Sequence, residues 1–203
     1  ITYWLDMTVP IITDFAVADG PHLAERRAIF NATIRDVGSG LDVEATALTV
    51  GETNVDIEYN EQNNLITGAL AEDLEDGRYT ATLTIRDKAG NEGTEGYEFS
   101  ISADPVEAPG FTLQEFTSNN RVVITNGRSV SGLTATIYLN DEAVGDVEVD
   151  EAGEFSFEYT AAELPEQSEV FLTATNLAGV ESDPSEAQTL ISDVTPPEFS
   201  ELT

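Results

Sequence analysis

Apolar and polar residues alternate along most of this chain with a period of two, the spacing that sends successive side chains to opposite faces of a β-strand. In residues 28–35, Phe30, Ala32 and Ile34 fall on one face and Asn31, Thr33 and Arg35 on the other. Residues 79–86 repeat the pattern with Tyr79, Ala81, Leu83 and Ile85 inward. The same reading predicts strands over residues 11–17, 46–50, 54–59, 65–70 and 96–103 in the first half. In the second half it predicts 111–116, 121–125, 135–139, 143–149, 154–159, 169–176 and 188–192. Turn residues separate them, at Gly51-Glu52, Asp76-Gly77, Asn140-Asp141 and the four residues from Asp150 to Gly153. The best helix candidate, residues 161–164, is too short for more than one turn.

The pattern is said twice. Asp6-Met-Thr-Val-Pro10 reappears as Asp193-Val-Thr-Pro-Pro197, with a degenerate version beginning at Asp104. Asp104 and Asp193 stand 89 residues apart, and so do Gly90 and Gly179, each in an x-Ala-Gly-x loop. Two landmarks with one spacing predict a tandem array. Short strands about every 8–12 residues predict antiparallel sandwiches, so the expected fold is all-β: two immunoglobulin-like antiparallel β-sandwiches in tandem, end to end. The expected domains are residues 6–103 and 104–192. Residues 1–5, with Tyr3 and Trp4, then read as the tail of a preceding domain, and 193–203 as a linker or the start of a following one. Prolines at 105, 109, 196 and 197 stiffen the junctions.

Charge is the next strong signal. The 203 residues carry 39 Asp and Glu against 8 Lys and Arg, a formal charge of −31. Such a field repels nucleic acid and anionic membrane, and no apolar run is long enough to span a bilayer. It attracts cations. Two compatible readings follow: carboxylates holding calcium at defined points, and an acidic, lysine-poor surface adapted to high salt, where a Debye length of about 3 Å at 1 M screens self-repulsion. Lys88 is the single lysine, and cysteine is absent, which excludes disulfides and thiol chemistry.

In a sandwich of this type the start of the first strand, the B–C loop and the F–G loop share one pole. Those places are taken by Asp6, by the loop Asp36-Val-Gly-Ser-Gly-Leu-Asp42 and by the loop Asp87-Lys-Ala-Gly-Asn91. Oxygen donors converging from three segments suit Ca²⁺, which takes 6–8 oxygens in flexible geometry. The alternative is that Asp and Asn stand there because they make good turns.

These openers and loops resemble the Ig-like repeats of large bacterial and archaeal surface proteins, including the extender repeats of RTX-type adhesins. The second half, with Asn126-Gly-Arg-Ser-Val-Ser-Gly132, Asp150-Glu-Ala-Gly-Glu-Phe155 and Thr175-Asn-Leu-Ala-Gly179, resembles a sister repeat type. The resemblance implies calcium at the junctions, held by the linker residues Asp6, Asp104 and Asp193 and by the pole loops. It departs from the pattern in the second domain, where Asn176 and Val180 replace Asp87 and Asn91. The pole at Asp6 is therefore expected to be the better calcium site.

Catalysis has little support. His22 is the only histidine, and no serine sits in a nucleophile-elbow context. The expected role is a non-catalytic stalk or extender of an extracellular, cell-surface protein. Its partners would be neighbouring Ig-like domains of the same chain, with lateral self-association as a further expectation. A glycan- or protein-binding module and an accessory region of a secreted hydrolase are the alternatives. Asn31 heads the only Asn-x-Ser/Thr sequon and is the glycosylation candidate.

Overall fold

The computed structural model describes residues 5–193; the expectations for residues 1–4 and 194–203, including Tyr3, Trp4 and the start of a further strand, lie outside the described residues. The chain divides into two units with the boundary between Asp104 and Pro105.

The first unit contains β1 (Ile11–Val17), β2 (His22–Leu23), β3 (Ile29–Arg35), a 3₁₀ turn (Val43–Ala45), β4 (Ala47–Val50), β5 (Thr53–Asn60), β6 (Leu65–Ala69), β7 (Gly77–Arg86) and β8 (Glu92–Ile101). Their order is β1-β3-β6-β5 in one layer and β4-β7-β8-β2 in the other. The layers are joined because β5 changes partner: Thr53–Val55 pair with β4, and Asp56–Asn60 pair with β6. An A-B-E-D layer facing a C-F-G layer is the immunoglobulin order. Alternation fixes which residues meet between the layers. Phe30, Ala32, Ile34 and Ile66 from one layer and Leu48, Ala81, Leu83, Ile85 and Phe99 from the other form one buried cluster. Each such Leu, Ile or Phe side chain stabilises the fold by about 1.5–3 kcal/mol. Phe30 and Phe99 meet edge to face at 5.6 Å across the interface.

The second unit contains β9 (Gly110–Leu113), β10 (Phe116–Thr117), β11 (Arg121–Arg128), β12 (Thr134–Leu139), β13 (Glu142–Glu148), β14 (Glu154–Thr160), β15 (Gln167–Thr175) and β16 (Gln188–Ser192). A five-stranded layer, β10-β16-β15-β12-β13, faces a three-stranded one, β14-β11-β9. Val122, Ile124, Ile137, Val170, Leu172 and Leu190 fill the space between. The strand expected over residues 111–116 is broken at Gln114-Glu115. Its first part pairs with β11, and its last residues cross to lie parallel to β16. The Gln188 side chain ties the two layers where they part, accepting from Leu113 N–H (3.0 Å) and donating to Phe111 O (2.9 Å).

The turns follow their residues. Asn140 and Asp141 both have positive φ (50° and 66°) and link β12 to β13, the two-residue hairpin geometry that matches strand twist. Three loops, 87–91, 150–154 and 176–180, share one build. The side-chain oxygen of the first residue accepts the N–H of the fifth (2.8, 2.8 and 3.0 Å), and glycine stands fourth at φ 93°, 78° and 82°. Among the described residues the only helical turn is Val43–Ala45, and residues 161–164 form none.

Candidate cation site

Asp6, Asp36 and Asp87 are drawn from the segment before β1, the β3–β4 loop and the β7–β8 loop. Each offers a carboxylate oxygen within 4.8 Å of those of the other two. All three stand at one pole of the first unit, as the order of strands requires. Asp87 is 1% exposed; Asp6 and Asp36 are half-buried.

Backbone amides hold the carboxylates in place. Asp6 accepts the N–H groups of Thr8 (2.9 Å) and Ser39 (2.7 Å). These bonds, Thr8 first and Ser39 next, hold its pKa at about 2, below the ordinary 3.8. Asp36 accepts Gly40 N–H through Oδ2 at 2.7 Å, while its Oδ1 is buried and has no hydrogen-bond partner. Burial pushes the Asp87 carboxyl up, but donors outweigh it, chiefly the Asn91 side chain and backbone N–H. Its pKa is lowered on balance. Gly38 is required by close approach: a Cβ there would lie 2.1 Å from Asp6 Oδ2. Gly93 likewise admits Pro10, whose carbonyl oxygen would stand 2.5 Å from a Cβ.

The other predicted site residues have different surroundings. Asn91 turns its amide nitrogen to Asp87 Oδ2 (2.7 Å) and to the Asp6 carbonyl (3.2 Å), clamping the site. Asp42 caps the 3₁₀ turn by accepting Ala45 N–H at 3.3 Å. Asp104 stands at the opposite pole, where its carboxylate pairs with Arg26 at 2.6 Å. Asp193, in the second unit, donates its N–H to Thr117 O (2.9 Å). In that unit the loop from Asn176 to Val180 keeps the backbone of the Asp87 loop with an amide in place of the carboxylate. Sequence reading missed Ser39, whose N–H reaches Asp6 and whose hydroxyl accepts Ala89 N–H at 3.2 Å. Its place between two glycines was the available signal. His22 lies in β2, with Nδ1 2.9 Å from Ser100 Oγ. Asn31 is half-buried in β3 between β1 and β6.

Three carboxylates around a gap of this size can share one cation. Two oxygens on opposite sides of a Ca²⁺ ion stand up to about 5 Å apart, given Ca–O distances of 2.3–2.6 Å. The all-oxygen donor set and the buried, unpartnered Asp36 Oδ1 both fit such an ion.

No protein-family model and no curated protein matches the chain. Among solved structures, a 1.5-MDa bacterial ice-binding adhesin is 17% identical at a TM-score of 0.43, over 92% of this chain and 65% of that one. The BSP domain of a biofilm-associated protein is 18% identical at 0.33, over 91% and 30%. Latent PorU from Porphyromonas gingivalis is 14% identical at 0.40, over 93% and 20%. The chain thus spans less than a third of the last two. These likenesses are distant, and the immunoglobulin-like assignment stands on the strand order of the chain itself. No helix among the described residues is long and apolar enough to cross a membrane.

Proposed function

We propose that the two units are non-catalytic spacers, of stalk or extender kind, in a large extracellular cell-surface protein, and that the pole of the first unit holds calcium. One observation carries the spacer reading: each unit takes the chain in at one pole and releases it at the other. In the first unit Asp6 lies beside Asp87, just past the end of β7, whereas Asp104 is bonded to Asp76, just before its start. In the second, β9 begins opposite Arg128, whereas Asp193 is bonded to Thr117 and its neighbour Ser192 to Glu166, next to the start of β15. A ten-residue strand such as β7 spans about 33 Å, the distance over which such a unit would carry the chain from pole to pole.

The calcium reading is supported by the carboxylate spacing and by the orphaned Asp36 oxygen. Asp6, Asp36 and Asp87 would hold the ion, which would neutralise their mutual repulsion and fasten the incoming segment to both pole loops. A binding-module reading gains less. The Tyr138–Phe171 pair on the five-stranded layer is stacked on itself at 4.8 Å, so each ring has already given one face to the other.

The spacer reading is tested by inserting one or both units between a surface anchor and a fluorescent head on a bacterial cell. The head should rise by about 30 Å per unit. A height that does not respond to the number of units would refute it.

A further inference from the structure

Tension along a chain that enters the first unit at Asp6 and leaves at Asp104 pulls β8 toward one pole while β2 is held from the other. The two strands are parallel, so the pull slides one along the other and loads their bonds together. A hairpin opened from its end breaks them one by one. The bonds are Ser100 N–H to Pro21 O (2.8 Å) and Ser102 N–H to Leu23 O (2.9 Å), with the His22–Ser100 contact at the same register.

The exit beyond β8 is tied a second time. Asp76 accepts the N–H groups of Ala103 (3.1 Å) and Asp104 (3.0 Å). Arg26 reaches Asp104 Oδ1 at 2.6 Å, Asp76 Oδ1 at 3.2 Å and Leu74 O at 3.0 Å. Three chain segments thereby close on the last residue of the unit, where tension enters from Pro105. Arg26 and Asp76 are about 70% covered.

We infer that the Arg26–Asp76–Asp104 ring, acting with the β2–β8 pair, is a mechanical clamp that sets the force at which the first unit opens. This rests on the spacer reading, since only a spacer transmits tension through both poles. The Arg26–Asp104 pair, with the Asp104 side chain 69% exposed, contributes little to equilibrium stability. The clamp is therefore distinguished by acting under load and hardly at all without it. The second unit repeats the parallel pair through Ile191 N–H to Glu115 O (2.8 Å) and Asp193 N–H to Thr117 O (2.9 Å), and serves as the internal reference.

The test holds the full chain by its two ends in optical tweezers. Arg26→Gln and, separately, Asp104→Ala should raise the unfolding rate of the first unit at fixed force about tenfold or more. Their unloaded unfolding rates in denaturant should change less than about threefold. Asp193→Pro, which deletes the bond to Thr117 O, assigns the other event to the second unit. Leu83→Ala is the contrast: a core loss that speeds both loaded and unloaded unfolding. Loaded rates that do not change in either clamp variant, or that rise only by the unloaded factor, would overturn the clamp. Neither result bears on the height assay, so the spacer reading stands or falls separately.

Discussion

Replacing Asp36 by Asn should have opposite effects with and without calcium. The substitution keeps the shape of the side chain and an acceptor for Gly40 N–H, but removes one of three charges whose oxygens lie within 4.8 Å of one another. In EDTA the carboxylates repel, and losing one relieves the repulsion, so the variant should melt above the wild type. With calcium at a hundred times its Kd, binding adds about 2.7 kcal/mol to the wild-type unit. A unit of about a hundred residues unfolds with an entropy near 0.2 kcal/mol/K, so the gain is roughly 13 °C in Tm. A site weakened a hundredfold would gain only about 2 °C under the same conditions. Differential scanning calorimetry in EDTA, in CaCl₂ and in NaCl of equal ionic strength reads this directly. The second unit provides a reference transition that calcium should move no more than salt does. A wild-type shift equal in CaCl₂ and NaCl would assign the whole effect to screening of the acidic surface. A full calcium shift retained in the variant would place the ion elsewhere.

Acid should destabilise the first unit in a defined window. The Asp6 pKa is lowered to about 2 and that of Asp76 is lowered too, the latter chiefly by the Asp104 N–H. Their contributions are thus complete above the ordinary value of 3.8 and are lost as pH falls through the folded values. Asp6→Asn should flatten the melting temperature of that unit between about pH 4 and 2, and an unchanged slope would contradict the bonding at Thr8 and Ser39. Leu83→Ala, at a position with no exposure, should cost the first unit about 2–5 kcal/mol in urea denaturation and leave the second transition in place. Gly179→Ala meets no atom within 4 Å but must adopt φ 82°. It should therefore cost about 1–2 kcal/mol of backbone strain, and Gly179→Asn should cost less because Asn tolerates that region.

Strands with strict alternation were legible from the chain alone, because burial on one face imposes it. Phe30, Ala32 and Ile34 lie at 1–2% exposure in one such strand, and Ala81, Leu83 and Ile85 at 0% in another. The loops with glycine fourth were legible for a local reason, since a positive φ selects the residue. What could not be read depends on contacts distant in sequence. β2 has two residues, too few to show a period, and exists through its parallel partner β8. The break at Gln114-Glu115 follows from a change of layer, and Gln188 serves a ladder position with its side chain. At the pole, topology brought Asp6, Asp36 and Asp87 together as the order of strands predicts. The capping of Asp42, the amide clamp of Asn91 and the pairing of Asp104 with Arg26 are settled by neighbours that sequence spacing does not reveal.

The loops at 87–91 and 176–180 have the same backbone, although one begins with Asp and the other with Asn. Either side chain supplies the oxygen that the fifth amide needs, so the fold is indifferent to which is present. The charge at this place can therefore be exchanged by a single substitution without rebuilding the loop around it. The same loop thus serves a unit with a carboxylate at this place or without one, so a change in the charge offered at the pole need not be a change in architecture.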